Sequence, residues 1–432
     1  MKQVFKKIIV LLLQIEAKLV LKKYKPKIVA ITGSVGKTSS KDAIYTALAT
    51  SFFVRKSSKS FNSEIGVPLT ILALPNAWDN PKLWLRNLID GLTLFIFPHK
   101  YPEWLVIEVG ADRPGDIKSI TRWLKPDVAV VTRLSEVPVH VEFFNSPEQV
   151  RQEKAELVRA SSKNSTVILN ADDNFVSSMR TLAKGRVLTY GANSPADLQG
   201  ADFSLVYENS FPSFPKGISF SVVSDGKKIP VEIHGSLGRQ QMYVALAALA
   251  VARALNLNLE TVAKSLTAHE APPGRMKVLS GINNTCIIDD SYNSSPVAAN
   301  EALEALSMIS TNGKKIAVLG DMLELGSHSK KEHEKLGEKA AGIAHIIYTI
   351  GTRSRWLYDA AITAGFPSEN IFWFADSEEA GQALKHTIGT GDVVLVKGSQ
   401  GIRTEKVVKA ILSKPERASE FLVRQDEEWK KR

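Results

Sequence analysis

Cysteine is almost absent: Cys286 is the single one in 432 residues. An intramolecular disulfide and a cysteine-built metal cluster are thereby excluded, and a reducing, cytoplasmic compartment is the simplest expectation. A membrane-spanning run is missing at the N-terminus, where the continuous apolar stretch Ile8 to Leu13 falls far short of the roughly 20 residues that a bilayer requires. No small-residue cleavage site follows it, so a signal peptide is not expected either. Nor does any run combine basic with aromatic residues in the manner of a nucleic-acid module, so the net charge of +10 is not read as nucleic-acid binding. Disorder has little support in a composition of 44% hydrophobic and 23% charged residues. Only the polar stretch after Glu420 reads as a tail outside the fold. The length allows two or three domains.

Much of the positive charge is local. Lys2, Lys6, Lys7, Lys18, Lys22, Lys23, Lys25 and Lys27 crowd the first 27 residues against one acid, Glu16. Residues 2–23 predict one helix, with Val4, Phe5, Ile8, Leu11, Leu12, Ile15 and Leu19 as its apolar stripe and Gln3, Lys6, Lys7, Gln14 and Lys18 opposite. Such a helix either packs on the protein's own surface or lies in a membrane interface, giving peripheral contact through residues 1–27.

The stretch KIVAITGSVGKTSSKDAIYTAL, Lys27 to Leu48, organises the rest of the chain. Residues Ile28 to Thr32 are apolar and β-branched, which predicts a buried strand, and the spacing of Ala43, Ile44, Ala47 and Leu48 predicts a helix beginning near Gly36. Between them Gly33, Ser34, Val35 and Gly36 form a turn whose glycines let backbone approach an anion, and the helix start at Lys37, Thr38 and Ser39 directs its amides there. A polyphosphate such as that of ATP fits, with Lys37 on the terminal phosphates and the Thr38 hydroxyl on Mg2+. The full Walker pattern needs a glycine where Ile31 stands, so the match is to the shorter T-G-x-x-G-K-T-S form.

Further on, Asn62, Gly66 and Pro68 punctuate a loop before an apolar helix. Residues 75–104 hold Trp78, Trp84, Leu88, Tyr101 and Trp104 among many large groups that need a cover. The run WLVIEV ends in Glu108, an acid at a strand's carboxyl end and a second candidate Mg2+ ligand. A strand at Asp127 to Thr132 leads to His140 and then to a helix carrying Glu153, Lys154 and Glu156. Short strands with Gly and Pro turns continue to Gly235, a small-residue helix covers Arg239 to Leu255, and HEAPPGR, His269 to Arg275, marks a boundary. A second α/β unit follows, and the loops DDSYNSSP, GDMLELG and KGSQG close three of its strands as a binding edge facing the ATP domain. The domains expected are therefore 1–26, 27–271 and 272–432.

In this order the pieces resemble the Mur ligases, from about Lys27 to the C-terminal region, through TGSVGKTS, NSEIGVPLT, EVGADRPGDI, the Lys154 helix, GRMKV, DDSYNSSP, GDMLELG with His333 downstream, and LVKGSQG. The resemblance implies an α/β fold, with a P-loop central ATPase domain built on a parallel sheet and a C-terminal Rossmann-like α/β domain. It implies an ATP- and Mg2+-dependent ligase of peptidoglycan precursor synthesis that forms an amide through an acyl phosphate. DDSYNSSP and GDMLELG are closest to the branch whose amine is D-alanyl-D-alanine and whose carboxylate is a UDP-N-acetylmuramoyl tripeptide. Gly33, Gly36, Lys37 and Thr38 match the family's phosphate loop. Glu108 and His140 match its Mg2+ positions, Lys154 a lysine that carries a carbamate in several members, and Arg275 and Asp290 residues near the nucleotide.

Three departures accompany the match. Members place a domain for the UDP-sugar before the phosphate loop, where this sequence has one helix, so the usual sugar-nucleotide pocket is expected to be lacking. The family's H-N-x-x-N is here Gln240, Gln241 and Val244, and Ser295 replaces an asparagine. Folylpolyglutamate- and poly-glutamate-type ligases share the chemistry. A nucleotide-binding membrane-surface scaffold is the alternative from outside the enzymes.

Overall fold

Strand alternation builds this molecule. In the computed structural model, which describes residues 2–430, the chain runs α1 (Lys2–Tyr24), β1 (Lys27–Thr32), α2 (Lys37–Ala49), β2 (Val54–Lys56), α3 (Gly66–Leu72), α4 (Pro81–Ile96), β3 (Trp104–Glu108), α5 (Asp116–Thr121), β4 (Val128–Val131), α6 (Pro147–Arg159), β5 (Thr166–Asn170), β6 (Arg186–Gly191), β7 (Leu198–Tyr207), β8 (Pro215–Ser224) and β9 (Lys227–His234). These strands form one sheet in the order β2-β3-β1-β4-β5-β6-β7-β8-β9. It is parallel from β2 to the short β6–β7 pairing and antiparallel from β7 to β9. Both faces are covered. Val29 and Ile31 enter a core with α2 and the helix Arg239–Ala254, while Ile28 and Ala30 enter a second core with α1, α3 and α6. That is why β1 reads as a continuous apolar run rather than an alternating one.

The second sheet comprises β10 (Lys277–Gly281), β11 (Thr285–Asp290), β12 (Lys315–Gly320), β13 (Ile346–Ile350), β14 (Ile371–Phe374) and β15 (Val393–Lys397), ordered β10-β11-β15-β12-β13-β14. Only β10 is antiparallel to its neighbour. The short strand β2 and the edge strands β10 and β14 are not foreseen from sequence. Helices Arg239–Ala254 and Leu259–Thr267 still pack with the first sheet, and we propose 271/272 as the division between the two units.

Four expectations are corrected. The packed face of α1 is Ile9, Leu13, Ala17 and Val20, whereas Phe5, Ile8, Leu11, Leu12 and Ile15 are exposed. The helix carries this packed face as a second apolar stripe beside the first, and tertiary packing took it. The side chains of Lys2, Gln3 and Val4 lie outside the described residues, as do Met1, Lys431 and Arg432. The large groups of residues 75–104 are covered only in part: Trp84 and Trp104 are buried and Tyr101 stacks on Tyr24 at 4.5 Å, while Trp78 and Phe97 stay exposed. Gly66 and Pro68 lie within α3, not before it, since a first-turn proline loses no helical hydrogen bond. The chain after Glu420 belongs to the fold, because the buried Arg424 guanidinium lies 2.8 Å from the carboxylate of Glu405, itself fully buried. Among the described residues no helix is long and apolar enough to cross a membrane.

Candidate active site

β1 lies between β3 and β4, so the connections diverge at its carboxyl end, where open α/β sheets leave a crevice. The phosphate loop fills it. Gly33 has φ 149°, and a Cβ there would come within 1.9 Å of Thr132 Oγ1. Gly36, at φ 82°, caps α2 without any side-chain cap. The Ser34 and Val35 amides donate to Arg133 O at 2.8 and 3.2 Å, and Ser40 N is bonded back to Gly36 O at 2.8 Å. The amides of Lys37, Thr38 and Ser39 therefore lack a place in the helical ladder. Of the expected loop contacts, this helix start offers donors to a phosphate, whereas Ser34 and Val35 already have backbone partners.

A cavity of about 350 Å3 opens over these amides. Its walls come from the ends of β1, β3 and β4 in one unit and, in the other, from the segment before β10 and the ends of β11, β12 and β15, contributing Lys37, Thr38, Glu108, His140, Arg275 and Tyr292. Glu108 is buried, its Oε2 accepting from Thr38 Oγ1 at 2.9 Å and its Oε1 from Ser60 Oγ at 2.9 Å and Asn62 Nδ2 at 3.1 Å. Lys37 is not the solvent-facing lysine that its helix-start position suggests. Burial lowers its pKa, Arg275 adds to that, and Glu108 and Asp112 oppose it. The Arg275 guanidinium stacks 4.0 Å from the Tyr292 ring centroid, and its buried Nε has no hydrogen-bond partner among the described residues. Two cations thus face one anion-sized space, one from each unit.

Lys154 lies beneath the loop, buried, with Nζ donating to Gly33 O at 2.9 Å. Burial and then the charge of Lys37 bring its pKa down to about 7. Its acidic neighbours point elsewhere: Glu153 accepts from Gly115 N and Lys118 N at the start of α5, and Glu156 pairs with Arg159 at 2.7 Å. His140 reaches across the cleft, with Nδ1 2.7 Å from Glu324 Oε2 and Nε2 3.5 Å from Asp112 Oδ1. Asp290 is engaged on both oxygens, by Lys397 Nζ at 2.5 Å and Met276 N at 3.2 Å. It therefore braces the loop that carries Tyr292 instead of lining the cavity. Sequence reasoning missed Ser60, Asn62, Asp112, Tyr292 and Glu324, although all but Ser60 fall in quoted motifs. Gln241, one of the departures, donates to Arg275 O at 3.3 Å and so holds the arginine's backbone.

Among the described residues no three His, Cys, Asp or Glu side chains gather as a ready metal site. That suits Mg2+, which keeps most of its ligands as water and substrate phosphate and takes one or two protein groups. A hydroxyl and a buried carboxylate in contact beneath a phosphate loop, Thr38 and Glu108, are such a pair.

Comparison with known proteins agrees with this geometry. The model of the Mur ligase middle domain matches residues 31–252, and that of the Mur ligase glutamate ligase domain matches residues 274–400. The chain belongs to the Mur ligase family. As a member it is an ATP-dependent ligase. The UDP-N-acetylmuramoyl-tripeptide--D-alanyl-D-alanine ligase of Bacillus subtilis is 28% identical over 404 residues, covering 93% of this chain and 79% of the relative. The enzyme of the same name from Mycobacterium bovis is 30% identical over 407 residues, covering 89% and 73%. The crystal structure of MurF ligase from Thermotoga maritima in complex with ADP superposes with a TM-score of 0.75 at 28% identity, covering 93% of this chain and 83% of that one.

Proposed function

We propose that this Mur ligase joins D-alanyl-D-alanine to a UDP-N-acetylmuramoyl tripeptide, or to a muramoyl-peptide carboxylate of the same class, in the cytoplasm beside the inner membrane face. The observation that carries the reading is the pairing of Lys37 and Arg275 across a cavity floored by the open amides of α2. A carboxylate oxygen attacks the γ-phosphorus of ATP, the bond from that phosphorus to the β–γ bridging oxygen breaks, and ADP leaves. The amine nitrogen then attacks the acyl carbon, phosphate departs, and the nitrogen loses a proton. Positioning and neutralisation of charge are what such a transfer requires of a protein. Lys37 and the amides of residues 37–39 hold the phosphates, while Arg275 meets the charge from the opposite wall. Thr38 and Glu108, with His140, would hold Mg2+, which when bound would supply further neutralisation.

Lys154 has the environment of a carbamylation site. An amine whose pKa burial brings down to about 7 has a substantial neutral fraction near neutral pH and can add to CO2, forming an N–C bond and releasing one proton. The resulting carbamate oxygen is a metal ligand that an ammonium could never be. The incoming amine sits against the loops after β11, β12 and β15, whose polar side chains make the second wall.

The test is ADP release with a panel of amines crossed against UDP-linked and nucleotide-free muramoyl tripeptides. D-alanyl-D-alanine should stimulate release above every other amine, in the presence of a muramoyl tripeptide only. Equal stimulation by glutamate would overturn the cell-wall assignment.

A further inference from the structure

Helices α1 and α4 run side by side in the same direction. Glu16 meets Gly91, where a Cβ would fall 2.2 Å from the carboxylate, and Lys23 Nζ donates to Phe95 O at 2.7 Å while Tyr24 Oη donates to Leu94 O at 3.0 Å. A lysine on the carbonyl end of α4 is favourably placed for the helix dipole. Both inner faces enter one core, through Leu13, Ala17 and Val20 on α1 and Trp84 on α4. The pair is therefore anchored, and its outer face is not needed to hold the fold together.

That outer face is apolar on both helices. Beside the exposed stripe of α1, α4 presents Leu85, Ile89, Leu92 and Ile96, spaced by four, three and four residues and 45–61% exposed. Such spacing puts them on one line along the helix. Together the two helices carry most of the large exposed aliphatic residues of the described chain. An apolar surface of this extent marks a docking face.

The rim identifies what docks. Lys7, Lys18, Lys22 and Lys25 lie on α1 or just beyond it, and Lys82 and Arg86 on α4, all with exposed or half-exposed side chains. The acids beside them, Glu64 and Asp90, are themselves within 3.3 Å of Lys6 and 3.6 Å of Arg86. A second copy of the chain seated by two-fold symmetry would set this basic rim against itself. An anionic lipid surface is complementary to it: the aliphatic stripes enter the acyl boundary and the lysines extend to the phosphates. We propose that the α1–α4 face seats the enzyme peripherally on an anionic membrane.

Co-sedimentation of the full 432-residue chain with vesicles of phosphatidylcholine alone, and of phosphatidylcholine mixed with phosphatidylglycerol, tests this. Binding to the mixed vesicles should exceed binding to the neutral ones and weaken with salt. In the double variant Leu85→Glu, Ile89→Glu it should fall by about tenfold or more. These side chains are exposed and remote from the cavity, so circular dichroism and ADP release should match those of the parent. A parent that ignores both vesicles would overturn the proposal, as would a parent that binds both equally. So would a solution dimer abolished by the same double substitution, which would assign the face to a second copy.

Discussion

The phosphate-loop cleft and the α1–α4 face are two places where this fold leaves groups without internal partners, and they differ in kind. At the cleft the unsatisfied groups are polar, the helix-start amides and the Arg275 Nε, and they lie beside a lysine whose burial lowers its pKa. At the α1–α4 face they are apolar and the charge is pushed to the rim. Leaving a buried polar group unmade is costly, so the first arrangement favours a small, charged ligand that completes it. Leaving aliphatic surface wet costs in proportion to area, so the second needs an extended partner. One region is specified by a few directions in space, the other by a pattern repeated along two helices.

The comparison breaks most sharply at Lys37. Lys37→Ala should lower the rate of ADP release by about two to three orders of magnitude, the scale of a removed transition-state charge contact, while circular dichroism stays native. A folded variant with near-normal turnover would remove the cleft from the account. Arg275→Ala should cost less, about tenfold to a hundredfold, because the loop amides and Lys37 stay in place. If its KM for ATP alone changed, the arginine would act in binding only.

Lys154→Ala should also lose activity, partly restored by short-chain carboxylic acids, and its stability should shift in the opposite sense. The folded-state pKa of Lys154 lies near 7, below its ordinary 10.5, so below pH 7 the folded protein carries a buried charge at full cost. As pH rises past 7 the folded state releases that proton before the unfolded state does, and the cost is relieved. In CO2-free buffer, where the lysine carries no carbamate, the variant should therefore gain melting temperature most below pH 7, with the advantage shrinking at higher pH. A constant difference across pH would show that the lysine is not titrating where it stands.

The smallest effect belongs to the other region. Glu16 sits in the α1–α4 seam with Oε2 lacking a hydrogen-bond partner among the described residues, and burial raises its pKa to about 7. The unfolded state ionises this carboxyl near 4.5 and the folded state only near 7, so stability falls as pH climbs through that window. Glu16→Gln should raise the melting temperature by a few degrees above pH 7 and by nothing in acid, read by a thermal melt at two pH values.

Legibility in the sequence follows the same division. The strand–turn–helix at β1 was readable because a β-branched run, two glycines and a helical period meet within a short stretch, and the family motifs named the loops that form the cleft. What the sequence withheld was direction. DDSYNSSP pointed to a site, but only the fold turns Tyr292 toward Arg275 and Asp290 toward Lys397. EVGADRPGDI drew attention to Glu108, whereas the hydroxyl and amide donors of Ser60 and Asn62 arrive from a loop far along the chain. On α1 the apolar period was legible and the buried face was not, because a helix that is apolar on most sides satisfies two stripes and only its neighbours choose between them.

The central claim is that the cleft activates a carboxylate by transferring phosphate to it. Supplying the muramoyl tripeptide with its carboxylate enriched in heavy oxygen, together with ATP and D-alanyl-D-alanine, and weighing the released inorganic phosphate tests that claim directly. An acyl phosphate requires that each phosphate leave with one oxygen taken from the carboxylate, so the label should appear in phosphate in step with ADP. Release of ADP with unlabelled phosphate would mean that water, not the carboxylate, meets the γ-phosphorus, and the account of the site would be wrong.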